Sequence, residues 1–106
     1  MPEIAYTVTV TFEDGKTADE WVRWLTAGHI ADVLAGGASD AELIKLDGPG
    51  LAFEVRYHFP SREVFAAYER DHAPRLRGEA MERFPPERGV VYRRACGVVM
   101  ATHART

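Results

Sequence analysis

Residues 51–74 read "LAFEVRYHFPSREVFAAYERDHAP". Leu51, Phe53, Val55, Tyr57 and Phe59 alternate with Ala52, Glu54, Arg56 and His58, the two-residue period of a strand with one face buried. Pro60 and Ser61 end that period. Ser61 is a good N-cap, and Phe65, Tyr68 and His72 then recur at the three- and four-residue spacing of one helix face. Pro74 lacks an amide and disfavours helix at Ala73, so a break or kink is expected at 72–74, with a further helical segment from Pro74 to Arg83. Asp71 or His72 then has a simple structural use as the cap of that segment.

Upstream, residues 4–12 alternate in the same way. Ile4, Tyr6, Val8, Val10 and Phe12 point to one side and Ala5, Thr7, Thr9 and Thr11 to the other, giving a first strand. "EDGK" at 13–16 is a turn, and "TADE" at 17–20 has the form of a capping box, with Thr17 as N-cap and Glu20 reaching back. A helix is therefore expected from about Ala18. Ala18, Trp21, Val22, Leu25 and His29 fall within about 100–120° of a helical wheel, and Gly36–Gly37 stop the helix. Gly28 is a place for a kink or an early end. Residues 38–46 alternate imperfectly, as an edge strand or a bulged one does, and "DGPG" at 47–50 leads tightly into the strand at 51. After "FPPERG" the run "VVYRRACGVVM", 90–100, is rich in β-formers on both faces, and "ATHART" reads as a frayed tail.

The order is β-α-β-β-α-β, the ferredoxin-like arrangement of the α+β class: a four-stranded antiparallel sheet with the helices on one face. At 106 residues the chain is a single domain, 1–106. The second sheet face, with its threonines, Glu54, Arg56 and His58, is not cleanly polar. A second copy of the chain is the economical cover, since twofold homodimers are the commonest assemblies.

Composition narrows the function classes. Hydrophobic residues make up 46% and charged residues 27%, without repeats or blocks of like charge, which sets aside disordered and solenoid readings. A net charge of −3 argues against nucleic acid or an anionic membrane as partner. Cys96 is the single cysteine, so there is no internal disulfide and no cysteine zinc site, and its apolar setting favours a structural thiol. The N-terminal stretch shows neither a basic leader nor a continuous apolar run, so the expected location is cytoplasmic. Arginine outnumbers lysine 11 to 2 and asparagine and glutamine are absent, a usage that points to a GC-rich bacterial genome.

"DEWVRWLTAGHIADVLAGG" at 19–37, "YERDHAPRLRGEAMERF" at 68–84 and "YRRACGV" at 92–98 together resemble an uncharacterised bacterial family, a domain of unknown function in the dimeric α+β barrel superfamily. The resemblance runs from about Ala5 to Val99. It implies a ferredoxin-like protomer and a homodimer that closes an α+β barrel. The wider superfamily includes cofactor-independent monooxygenases, haem-degrading enzymes, lactone isomerases and stress-induced proteins without known activity, so fold alone does not select a function.

The two helix-face histidines are the sharpest chemical signal. His29 lies 12 residues past Thr17 and His72 lies 11 past Ser61, which places both about 16–18 Å along parallel helices and so at one end of the domain. Tyr6, Trp24, Tyr57 and Tyr68 supply aromatic walls for a pocket between helices and sheet, with Arg75 and Arg77 available for a carboxylate or phosphate. Three readings follow. The first is a binding protein for a small aromatic or anionic molecule, with His29, Tyr6, Trp24, Tyr57, Tyr68, Arg75 and Arg77 as contacts. The second is a cofactor-independent monooxygenase or isomerase with His72 as general acid or base, tuned by Glu69 or Asp71. The third is a structural dimer in which these residues are core and interface. No metal or cofactor is called for: His29, His72 and Glu69 have the right ligand types but no metal-site spacing. The oxygenase and haem-degrading relatives use an Asn, Trp and His set, and this chain has no asparagine.

Overall fold

Alternation sets β1 (Ile4–Phe12) at the inside of a four-stranded sheet in the computed structural model, which describes residues 2–105. The remaining strands are β2 (Asp40–Lys45), β3 (Leu51–Phe59) and β4 (Val90–Val98), in the order β2-β3-β1-β4 with every neighbouring pair antiparallel. β1 and β3 pair along their full lengths, from Ile4 opposite Phe59 to Phe12 opposite Leu51. That register puts Tyr6 beside Tyr57, Val8 beside Val55 and Val10 beside Phe53 on one face. The helices cover this face and leave the other open.

The first helical run spans 15–35 in three parts: α1 (Gly15–Trp24), a π-helical turn (Leu25–His29) and α2 (Ile30–Ala35). Its cap differs from the expected capping box. Asp14, in extended conformation, accepts a hydrogen bond from the Thr17 amide at 3.2 Å, so the helix begins two residues before the expected N-cap. Thr17 is buried inside the first turn, and Glu20 pairs with Arg88 at 2.8 Å instead of reaching back. Gly28 does not end the helix; it lies within the π-turn, after which α2 continues to Ala35. At the entry to this turn the Thr26 hydroxyl donates back to the Val22 carbonyl at 2.8 Å, with the Arg23 carbonyl at 3.4 Å. The helix stops at Gly36–Gly37, as its sequence requires.

α3 (Arg62–Asp71) is capped by Ser61, whose hydroxyl accepts from the Val64 amide at 3.2 Å. His72 breaks the helical backbone, and α4 (Ala73–Arg83) follows with Pro74 in its first turn. A short 3₁₀ turn (Pro86–Arg88) and Gly89, with φ of 76°, return the chain to β4. The core lies between helices and sheet. Ile4, Val10, Trp21, Val33, Val55, Phe59, Leu76 and Val90 are its largest fully buried side chains, each worth roughly 1.5–3 kcal/mol of burial. On the open face polar side chains tie to one another: Arg56 to Glu54 at 3.0 Å and His58 to Asp40 at 2.8 Å.

Candidate functional site

A cleft opens between the helical layer and the middle of the sheet. Its floor is Tyr6, Val8 and Val10 of β1 with Val55 and Tyr57 of β3. Trp21, Trp24, Leu25, His29 and Val33 form one wall, and Tyr68, Leu76, Arg77 and Ala80 the other. Tyr92 and Arg94 of β4 close the third side. The interior space is about 40 Å³, room for roughly three water molecules.

The rings are arranged as a continuous aromatic surface. Tyr6 stacks on Tyr57 with centroids 5.9 Å apart, and Phe65 and Tyr68 lie 5.4 and 6.4 Å from Tyr6. Burial and the neighbouring phenols raise the Tyr57 pKa well above its ordinary value, and burial with Tyr6 pushes Tyr68 up to about 12. Both therefore stay protonated at neutral pH and present hydroxyl donors.

Two nitrogens in this setting are buried without a hydrogen-bond partner: His29 Nδ1 and Arg77 Nε. Buried polar groups are nearly always paired, so two unpaired nitrogens on residues that line one cleft mark it as a place where water or a ligand completes the structure once the lining shifts to expose them. The π-turn positions His29. It brings residue 29 back over residue 24, and the imidazole stacks on the Trp24 ring at 4.4 Å. Burial lowers the His29 pKa, partly offset by Asp32 and Glu79, so the ring is neutral at physiological pH. Arg77 is held from the other side: its Nη2 donates to Glu69 at 2.6 Å and to the Tyr6 hydroxyl at 3.2 Å.

Of the residues singled out in the sequence, Tyr6, Trp24, His29, Tyr57, Tyr68 and Arg77 meet in this cleft. His72 and Arg75 are not among its lining residues. The expected convergence of the two imidazoles fails because the backbone break at residue 72 turns that side chain toward the end of α2. There it stacks near Tyr68 at 6.4 Å and packs so close to Gly36 that a Cβ on Gly36 would stand 3.1 Å from His72 Cγ. Of the carboxylates expected to tune His72, Glu69 pairs with Arg77, while Asp71 pairs with Arg70 and also feels the charge of His72 beside it. Arg75 is exposed and pairs with Glu79 one turn on, at 3.5 Å. No three potential metal ligands gather among the described residues.

Tyr92 and Arg94 are the polar lining residues that sequence reading missed. The run 90–100 has β-formers on both faces and gives no phase of its own. Its phase comes from pairing with β1, where Val8 faces Arg94 and Val10 faces Tyr92. Tyr92 donates to the Phe84 carbonyl at 2.9 Å, and the Arg94 guanidinium lies over the Tyr92 ring.

A family model described as a domain of unknown function, DUF4286, matches residues 3–96. The chain belongs to the DUF4286 family. No curated protein matches this DUF4286 chain in sequence. Among solved structures it is similar to a dimeric ferredoxin-like protein from an uncultured marine organism, at TM-score 0.74 and 10% identity, over 97% of this chain and 100% of the other. It is also similar to the ActVA-Orf6 monooxygenase of Streptomyces coelicolor in complex with nanaomycin D, at TM-score 0.74 and 15% identity, over 99% and 94%. A third is a point mutant of the cofactor-independent oxygenase SnoaB of Streptomyces nogalater, at TM-score 0.71 and 10% identity, over 96% and 97%. At such identities the likeness establishes the ferredoxin-like fold and leaves chemistry to the site. No helix among the described residues is long and apolar enough to cross a membrane.

Proposed function

We propose that this DUF4286 protein is a homodimer whose protomers each bind a small, partly aromatic or anionic molecule in the cleft between helices and sheet. The observation that carries the reading is the pair of unpartnered buried nitrogens, His29 Nδ1 and Arg77 Nε, on two residues that line one aromatic cleft. Buried polar atoms left without partners are costly, and a ligand with complementary polar groups would relieve both. The open sheet face and the dimeric neighbours support the homodimer. Native mass spectrometry of protein purified without added ligand, followed by a crystal structure, tests both parts. A dimer with density against His29 and Arg77 is expected. A monomer by light scattering at micromolar concentration contradicts the assembly, and waters alone on both nitrogens with no hit in a broad thermal-shift screen contradict the ligand.

A second reading, a cofactor-independent oxygenase or isomerase, draws support from the structural neighbours named as oxygenases. His29 is the better placed base for it, because its ring lines the cleft, whereas His72 is not among the lining residues. Once a turned-over substrate is in hand, His29→Ala should abolish turnover while His72→Ala leaves most of it. The reverse result restores His72 to the role its sequence position suggested.

A further inference from the structure

The cleft is too small for the ligand class just proposed. About 40 Å³ of interior space compares with roughly 150 Å³ for an engineered cavity that takes up benzene. An aromatic ligand therefore enters only if part of the lining moves. Two walls separate the cleft from outer surface recesses. One is Trp24 with His29, beyond which lies a recess of about 240 Å³ bordered by Asp32 and Glu79. The other is Tyr6, Arg77 and Arg94, beyond which lies a groove of about 280 Å³ beside β4.

These walls differ in how they are held. Tyr6 sits mid-strand between β3 and β4, and Arg77 is bonded to both Tyr6 and Glu69. His29 is held by its stack on Trp24, and its buried Nδ1 bonds to nothing. It also rides on the π-turn, where Gly28 has no neighbour within reach of a Cβ. The Trp24–His29 wall is the weaker one.

We propose that the Trp24–His29 stack is the entrance of the cleft, and that its ligand is a planar aromatic carboxylate whose ring displaces the His29 imidazole from the Trp24 face. The carboxylate then reaches the positive side of the cleft, where Arg77 Nε lacks a partner and Arg94 has the Tyr92 ring but no carboxylate within ion-pair distance among the described residues. Once displaced, the His29 ring swings toward the recess it shares with Asp32 and Glu79. This inference rests on the ligand-binding reading above.

The probe is 2-naphthoate, with 2-naphthalenemethanol as its uncharged counterpart, followed by calorimetry and by stopped-flow naphthoate fluorescence. His29→Ala removes the competing ring and should speed association of both probes by about tenfold, as expected when a conformational barrier to binding is removed. His29→Phe, which keeps the stack, should give no such gain and serves as a second variant should His29→Ala fold poorly. Arg77→Met should weaken naphthoate about tenfold and leave the alcohol within about twofold. NMR locates the probe through the Trp24 indole, assigned with Trp21→Phe, and through the Val33 and Leu76 methyls. If those methyls shift in the parent protein but association is unchanged in His29→Ala, the entrance is overturned and the ligand-binding cleft stands. If nothing in the cleft shifts in either protein at millimolar probe, this ligand class is overturned, and the thermal-shift screen decides the cleft separately.

Discussion

Gly37 and Gly28 should respond in opposite directions to the same added methyl group. Gly37 follows α2 with φ of 128°, a backbone state L-residues rarely adopt, and a Cβ there would stand 2.8 Å from Val64 Cγ1. The backbone strain alone costs roughly 1–3 kcal/mol. Forcing Val64 aside costs about 1–3 kcal/mol more, because it packs against the core beside Phe59. Gly37→Ala should therefore lose about 2–6 kcal/mol, a large share of the roughly 5–15 kcal/mol available to a domain. Gly28 faces open space within a helical turn, so Gly28→Ala should gain up to about 1 kcal/mol from helix propensity. Urea unfolding followed by circular dichroism measures both, with the slope expected to stay constant while the midpoints move apart. A Gly37→Ala protein within about 0.5 kcal/mol of the parent, the range of an ordinary surface change, would falsify the packing described at the end of α2.

Three further outcomes are expected. Burial holds the His29 pKa below its ordinary 6.5, so the unfolded chain takes up the proton first; this contribution to stability is whole above pH 6.5 and is lost as pH falls from there to the folded-state pKa. Denaturation at about pH 7.5 and about pH 5.5 should show a larger acid loss for the parent than for His29→Phe, and equal losses would remove His29 as the source. Phe59 is fully buried with Phe65 and Tyr68 each 5.0 Å from its ring, so Phe59→Ala should cost about 3–5 kcal/mol in chemical denaturation; a loss below about 1.5 kcal/mol would mean the site collapses around the missing ring. Asp14→Ala should cost about 1 kcal/mol through its cap, read by the same assay, and no loss would return the cap to Thr17.

The strands are the most legible part of the chain because their period is short and strict. Residues 4–12 and 51–59 each carry one unbroken alternation, and they pair end to end as written. The helix at 15–35 is harder. The capping-box pattern in "TADE" points to Thr17, but Asp14 takes the cap, because the folded protein buries the Thr17 side chain within the first turn. A wheel drawn at one fixed period cannot show a π-turn, so the Trp24–His29 stack is invisible to it even though both residues stand out. His72 is misplaced for a related reason. Its helix-face spacing with Phe65 and Tyr68 is real, but the backbone break at the same residue decides where the ring goes. Arg94 needs the register of β4 against β1, which depends on the sheet as a whole.

The π-turn also has a meaning for ancestry. It holds one residue more than an α-helical turn would need, so the first helix behaves like a text with a single inserted letter. Each residue of an α-helix advances about 100° around the axis. Excising one residue from 25–29 would let α1 run on into α2 without a seam, with the side chains on either side keeping the faces they present now. Set against a chain with a regular helix here, an alignment carried through 25–29 without a gap would pair side chains about 100° apart on the helix, and so on different walls of the cleft.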